Sequence, residues 1–137
     1  RLVAALAHMK TYLDYGTFAP LQIAAAWALT NGDAIATELR DLYRGRATAL
    51  VDGLHRAGWT TVAEPSGTMF VWAELPPGLR EKGSMAAVIN LIEQAHVAAA
   101  PGVGFGPGGE GYLRFALIED PPRINEACDR IGRWLKR

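Results

Sequence analysis

The chain has a single cysteine, Cys128, and no excess of charge of either sign. One cysteine excludes an internal disulfide and is typical of a reducing compartment, which favours the cytoplasm. Fourteen basic residues balance fourteen acidic ones, so the positive surface expected of a nucleic-acid-binding or anionic-membrane-binding protein is missing. The best apolar run, residues 19–30, is shorter than the ~18 residues that a membrane-spanning helix needs, so we expect no membrane span.

Metal and nucleophile signatures are also missing. His8, His55 and His96 have no metal-like spacing, and Cys128 has no second soft ligand, so no metal site is predicted. The serines and histidines do not form a nucleophile elbow. Cys128 falls on the apolar side of a predicted helix, and this position indicates a core residue. The four tryptophans are scattered singly, which also favours core packing.

The sequence does have the apolar content of a folded domain. Half of its 137 residues are hydrophobic, and this length can bury a stable core. The chain starts without methionine, inside sequence that looks structured, so we expect a fragment of a longer protein.

Residue patterns predict an alternation of helices and strands, and therefore an α+β fold. Pro20 begins one helix, and Asp33 begins a longer one. The strand and turn patterns place the remaining elements as follows: a loop at 12–18, strands at 60–63, 68–74, 97–100 and 112–117, a loop at 76–83, a helix at 84–96 capped by Ser84, and a helix at 121–136.

The most informative feature is Arg114, which lies in a strand that follows a glycine-dense loop at 101–111, here called the glycine loop. The planar guanidinium can donate two parallel hydrogen bonds to a carboxylate or phosphate. The pattern therefore indicates an anion site. The alternative is a surface arginine, or an ion pair with Glu119 or Asp120.

The glycine loop also contains Gly104-x-Gly106-x-x-Gly109, which matches the dinucleotide fingerprint. Pro107 interrupts the motif, and a strand follows it, whereas a dinucleotide site needs a helix N-terminus at that point. We therefore reject this interpretation on context. Loop flexibility alone would explain the glycines but not the arginine.

Four segments together resemble the C-terminal third of the class I/II, fold-type I aminotransferases that depend on pyridoxal phosphate. The resemblance covers essentially the whole chain, and it is nearest the alanine (glutamate–pyruvate) aminotransferase branch. The segments that carry it are Tyr12-Leu13-Asp14-Tyr15-Gly16-Thr17-Phe18-Ala19-Pro20-Leu21-Gln22, Gly67-Thr68-Met69-Phe70-Val71-Trp72, Pro101-Gly102-Val103-Gly104-Phe105-Gly106 and Leu113-Arg114-Phe115-Ala116-Leu117.

This resemblance implies a domain arrangement and a role for Arg114. Residues 1–32 would be the end of the large cofactor domain, and 33–137 would be the small domain. The small domain would have a small mixed or antiparallel sheet with helices packed on it, preceded by the long linking helix from Asp33. Arg114 would grip the substrate α-carboxylate, and the glycine loop would let the small domain close over the substrate. Tyr15, Gly16 and Thr17 would lie near the partner subunit of a homodimer, close to its cofactor.

The resemblance also implies that this chain lacks the catalytic residues. The complete enzyme would pass an amino group between an amino acid and a 2-oxo acid through pyridoxal phosphate, held by a lysine upstream of this sequence. Lys10, Lys82 and Lys136 have none of the expected context, so the chain alone should be inactive.

Two alternatives stay open at this point. One is a different fold-type I pyridoxal-phosphate enzyme, such as a decarboxylase, a synthase or a C–S lyase, which can share the carboxylate arginine. The other is a stand-alone α+β module that binds an amino acid through Arg114.

Overall fold

The computed structural model describes residues 1–14 and 16–136. By its internal contacts the chain divides into two compact units, residues 1–39 and residues 40–137. The division falls within the long helix that begins at Asp33.

The first unit is helical. Its elements are α1 (Leu2–Leu13), α2 (Ala19–Asn31) and the start of α3 (Asp33–Arg56). The predicted loop at 12–18 is shorter than expected, because Lys10 pairs with Asp14 one turn later, at 2.6 Å, and supports the last turn of α1. Pro20 occupies the first turn of α2 as predicted, where its missing N–H costs no hydrogen bond.

No residue of α1 or α2 is buried. Large apolar side chains of the first unit are therefore exposed to an unusual extent. They are Leu2, Val3, Leu6, Met9, Tyr12, Leu13, Phe18, Leu21, Ile23, Trp27, Leu29, Ile35 and Leu39.

In the second unit, α3 ends in a Schellman motif. Gly58 has a φ of 97°, which favours glycine, and its N–H bonds to the His55 carbonyl at 3.0 Å. The Trp59 N–H bonds to the Leu54 carbonyl at 2.9 Å. This turn reverses the chain and places Trp59 in the core, where its side chain is fully buried.

A three-stranded antiparallel sheet forms the centre of the second unit. Its strands are β1 (Phe70–Glu74), β2 (Ala100–Pro101) and β3 (Tyr112–Ala116), in the order β1-β3-β2. The register places Arg114 of β3 opposite Trp72 on one side and Ala100 on the other. This sheet and the helices around it confirm the predicted α+β fold.

The predicted strand at 60–63 is wrong. The Trp59 indole and the Thr61 hydroxyl both donate to the Glu74 carbonyl, at 2.6 and 2.7 Å. The Val62 carbonyl lies 2.7 Å from a ring nitrogen of His55. Side chains therefore hold this segment in place, and no strand ladder forms there.

The other boundaries move by a few residues. The strand predicted at 97–100 is reduced to β2, since the Val97 N–H bonds to the Leu91 carbonyl and Pro101 has no N–H to continue a ladder. The loop predicted at 76–83 contains the one-turn helix α4 (Pro77–Arg80). The remaining helices are α5 (Ser84–Ala95) and α6 (Pro121–Leu135).

The core lies between the sheet and helices α3, α5 and α6. On the sheet side it contains the inward residues of β1 and β3, and each helix contributes an apolar stripe. Its larger members include Leu50, Leu54, Trp59, Val71, Leu91, Leu113, Phe115, Ile124, Ile131 and Trp134.

Helices α3 and α6 approach closely at glycine positions. A methyl group on Gly53 would lie 2.5 Å from the Cys128 sulfur, and one on Gly132 would lie 3.2 Å from the Ala57 Cβ. Cys128 is buried, as predicted, and burial raises its thiol pKa to about 11. None of the helices in the described part of the chain combines the length and apolar character needed to cross a bilayer.

Candidate functional site

The strand alternation places Arg114 on the side of the sheet that faces away from the core. Leu113 and Phe115 of β3 are buried, whereas Tyr112 and Arg114 point to the opposite side. Trp72 of β1 lies directly opposite Arg114 and also faces outward. Phe70, Trp72, Tyr112 and Arg114 thus form what we call the outer face of the sheet.

Two aromatic rings contact the Arg114 guanidinium. Its central carbon lies over the Phe70 ring at 4.1 Å from the centroid, and over the Phe105 ring at 4.2 Å. Phe70 is a diagonal neighbour on β1, and Phe105 is supplied by the glycine loop. Both distances are well inside the ~6 Å range of cation–π attraction. The arginine is therefore held by its planar surface.

The ion pair considered for Arg114 is not formed. Asp120 instead accepts from Arg46 of α3 at 2.7 Å, and Arg46 also donates to the Leu117 carbonyl at 3.1 Å. Within residues 1–14 and 16–136, no carboxylate lies within ion-pair distance of Arg114, Glu119 included. Arg114 is half-buried and keeps N–H groups for a ligand.

A row of aromatic contacts continues from the arginine. Trp72 packs edge-on against Phe105, with centroids 5.7 Å apart, and stacks on Tyr112 at 5.6 Å with an interplanar angle of 16°. The core position predicted for every tryptophan is wrong for Trp72, which is 41% exposed, and for Trp27, which is 60% exposed. The positions of Trp72 and Phe105 along the sequence did not predict that their rings would pack together beside Arg114.

The glycine loop forms two short 3-10 turns, Gly102–Phe105 and Pro107–Gly109. Gly102 and Gly109 pack backbone against backbone: a Cβ on Gly102 would lie 1.9 Å from the Gly109 carbonyl oxygen. Gly106 and Gly111 have φ values of 115° and 86°, which favour glycine. Close approach and positive φ thus explain these glycines, and β3 follows the loop where a dinucleotide site would need a helix.

The glycine loop is tied to the start of α5 by a buried hydroxyl and a carboxylate. Ser84 donates its N–H to Glu110 at 2.5 Å and its hydroxyl at 3.2 Å, while its oxygen accepts from the Val103 N–H at 3.2 Å. The hydrogen bonds from the Ser84 and Gly111 N–H groups hold the pKa of Glu110 below its ordinary value.

This arrangement corrects the expectation that Ser84 caps α5. Gly83, with a φ of 86°, occupies the N-cap position, and Ser84 is the first helical residue. Glu110, distant in sequence, accepts the N–H that a local cap would have satisfied.

The segment predicted to lie near a partner subunit belongs to the first unit. Tyr15 lies outside the described residues. Gly16 has a φ of 113° and donates its N–H to Asp14 at 2.9 Å, and the Thr17 hydroxyl lies 3.4 Å from Lys10. Lys10, followed by the Gly16 N–H, lowers the pKa of Asp14. Gly16 and Thr17 line a groove of about 680 Å³ between α1 and α2.

The lysines do not form a cofactor site. Lys10 is paired with Asp14, Lys82 lies in the turn before α5, and Lys136 follows the last residue of α6. All three are exposed, whereas a lysine that forms a Schiff base is activated by burial or by a neighbouring cation. The residues present do not fit pyridoxal phosphate, and we assign no step through it to this chain.

The histidines do not share a site in this structure. His55 bonds to the Val62 carbonyl, and His96 ends α5 with a φ of 54°. His8 packs edge-on against Tyr12 in α1. Across the described residues, no three histidine, cysteine or acidic side chains are grouped to hold a metal ion.

The chain belongs to the class I and II aminotransferase family. The model of that family, described as aminotransferase class I and II, matches residues 1–131. The predicted resemblance is thereby confirmed.

Relatives and solved structures agree with this assignment. The chain is 44% identical to a putative aminotransferase AatC of Rhizobium meliloti, and 44% identical to the glutamate-pyruvate aminotransferase AlaC of Escherichia coli. These matches cover 98% and 95% of this chain, but 33% and 31% of the relatives. A probable N-succinyldiaminopimelate aminotransferase from Thermus thermophilus is similar in structure, with a TM-score of 0.84, 31% identity, and coverage of 96% of this chain and 34% of its own. The chain thus spans about a third of the length of the proteins it matches.

Proposed function

We propose that this chain supplies the substrate-carboxylate arginine, Arg114, of an enzyme that transfers an amino group between an amino acid and a 2-oxo acid. The observation that carries the proposal is the guanidinium lying over two aromatic rings, with no carboxylate partner among the described residues. Such an arginine is oriented by its planar surface and keeps its N–H edge for an anion.

The chemistry of the substrates fits this edge. An amino acid and its 2-oxo acid share a carboxylate next to the reacting carbon, so one arginine can bind both. Two parallel N–H···O bonds fix the position and the rotation of the carboxylate. A fixed carboxylate limits the orientation of the neighbouring C–H bond, and positioning of this kind lowers a reaction barrier.

The other parts of the proposal concern the complete protein. Pyridoxal phosphate would be held by residues outside this sequence, and would supply the electron sink for breaking the C–H bond. Gly16 and Thr17, with Tyr15, would lie near the partner subunit of a homodimer, and the enzyme would act in the cytoplasm. Because a relative that is 44% identical is a glutamate-pyruvate aminotransferase, we propose glutamate and pyruvate as the first substrates to test.

The test is Arg114→Lys in the complete polypeptide that carries this sequence. Lysine keeps the charge but loses the two-point geometry, so KM should rise for both L-glutamate and pyruvate, with kcat/KM falling by about 10-fold or more. Arg133→Lys is the matched control, since Arg133 is exposed on α6. Unchanged kinetic constants in Arg114→Lys would refute the carboxylate role.

A second experiment separates the alternatives. The isolated 137-residue chain, mixed with one equivalent of pyridoxal phosphate and borohydride, should give no stoichiometric adduct on a single lysine, because the exposed Lys10, Lys82 and Lys136 would react only weakly and without preference. A stoichiometric adduct would contradict the placement of the catalytic lysine elsewhere. Binding of an amino acid by the isolated chain without cofactor would favour a stand-alone binding module instead.

A further inference from the structure

We propose that Phe70 and Phe105 are positioning residues for the substrate carboxylate, because together they set the plane of the Arg114 guanidinium. This inference rests on the proposed role of Arg114 and adds two residues to it. The two rings lie 4.1 and 4.2 Å from the guanidinium carbon, so both contact the π surface of the cation.

The contacts constrain the arginine in a way that a hydrogen bond would not. A carboxylate partner would occupy the N–H groups that a substrate needs, whereas aromatic rings leave them unused. An arginine side chain has considerable rotamer entropy to lose when it is fixed. Because the two rings already restrict the Arg114 side chain before substrate binds, less rotamer entropy is lost in the binding step.

Phe70 and Phe105 reach the arginine from two different parts of the chain. Phe70 begins β1, and the antiparallel register places it two pairs along from Arg114, on the same face of the sheet. Phe105 ends the first turn of the glycine loop and is 52% exposed, so it is not needed to fill the core.

The position of Phe105 is itself supported. Trp72 packs edge-on against its ring, and Trp72 in turn stacks on Tyr112. At the other end of its turn, the Val103 N–H is bonded to the buried Ser84 hydroxyl. The glycine loop therefore presents an aromatic ring to the arginine from a fixed backbone.

The variants are Phe70→Leu and Phe105→Leu in the complete polypeptide with its cofactor, with Phe70→Tyr and Phe105→Tyr as matched controls that keep each ring. The substrates are L-glutamate and 4-aminobutyrate, which is glutamate without its α-carboxylate. Each leucine variant should lower kcat/KM for L-glutamate by about 3- to 10-fold through KM, the size expected from losing one cation–π contact. The values for 4-aminobutyrate should not change, and the tyrosine variants should retain wild-type discrimination.

A double-variant comparison distinguishes this inference from the proposed function. In an Arg114→Lys background, Phe105→Leu should cause no further loss of discrimination, since its effect passes through the arginine. An equal loss for both substrates, or an undiminished effect in that background, would overturn the positioning role of the rings. If Arg114→Lys is itself without effect, the proposed function fails. If Arg114→Lys weakens L-glutamate binding and the leucine variants do not, only the present inference fails.

Discussion

The Glu110 carboxylate closes the first turn of α5 by accepting both the N–H and the hydroxyl of Ser84. The two residues are 26 positions apart, so the cap of a helix is also the anchor of a distant loop. That loop carries Phe105, one of the two rings over Arg114. The stability of this corner can therefore be tested separately from any activity.

Glu110→Gln should lower stability near neutral pH and flatten its dependence on acid. The pKa of Glu110 is lowered in the folded state by the N–H groups of Ser84 and Gly111. Its contribution is therefore fully present above the unfolded pKa of about 4.3, and is lost as the pH falls through the lower folded value. Thermal unfolding of wild type and variant across this acid range gives the comparison.

The matched control for this experiment is Glu93→Gln, an exposed glutamate on α5. Its unfolding curve should follow the wild type at every pH, because its exposed side chain has no counterpart of the two N–H contacts that Glu110 makes. Parallel acid profiles for wild type and Glu110→Gln would show that the Ser84 contacts do not contribute.

Ser84→Ala should lower the free energy of unfolding by about 1–3 kcal/mol. The Ser84 side chain is fully buried, and its loss leaves the Val103 N–H without the oxygen that it now bonds to. Ser66 is the only other serine of the chain and is exposed, so Ser66→Ala is the natural control. Denaturant unfolding of both variants measures the difference, and equal values would contradict the role given to the hydroxyl.

Gly102→Ala should be strongly destabilising, by about 3 kcal/mol. The added Cβ would meet the Gly109 carbonyl oxygen at 1.9 Å and the Tyr112 carbonyl oxygen at 2.7 Å, and backbone atoms cannot swing aside. Gly108→Ala in the same loop should be tolerated, since a Cβ there meets no atom within 4 Å. Comparison of their unfolding midpoints checks this, and a stable Gly102→Ala would mean that the loop packs differently.

Arg46→Lys should cost about 1 kcal/mol of stability. The half-buried guanidinium of Arg46 bonds to the Leu117 carbonyl and to Asp120, and one ammonium cannot reproduce both contacts with the same geometry. Arg44→Lys is the control, because Arg44 makes an exposed pair with Asp41 at 3.6 Å, a contact of little energetic value. Urea unfolding should separate the two variants, and similar midpoints would show that Arg46 acts only as a surface charge.

Local sequence signals predicted the elements that are determined locally. Pro20, Asp33 and the Pro121-Pro122 pair mark the starts of helices that the structure contains. The false strand at 60–63 had β-like residues, but the Thr61 hydroxyl donates to the Glu74 carbonyl and the Val62 carbonyl bonds to the His55 ring. Such contacts depend on tertiary structure, and the local residue pattern used to predict a strand contains no information about them.

The candidate site was predicted only in part for the same reason. Arg114 stood out because a charged residue interrupts an apolar strand beside a glycine-rich loop. Phe70 and Phe105 carried no signal of their own, since their approach to Arg114 depends on strand register and on the path of the loop. Asp120, which the sequence suggested as a nearby ion-pair partner for Arg114, instead pairs with Arg46, 74 positions away in the chain.

The buried position of Cys128 makes its thiol a natural probe of local opening of the core. It is the only cysteine, it lies against Gly53 where α3 and α6 meet, and burial raises its thiol pKa to about 11. A thiol reagent reacts only with a cysteine that is both exposed and ionised to the thiolate, and Cys128 meets neither condition while the helices stay together. The labelling rate of this one atom therefore reports how often the core opens, and needs no engineered probe.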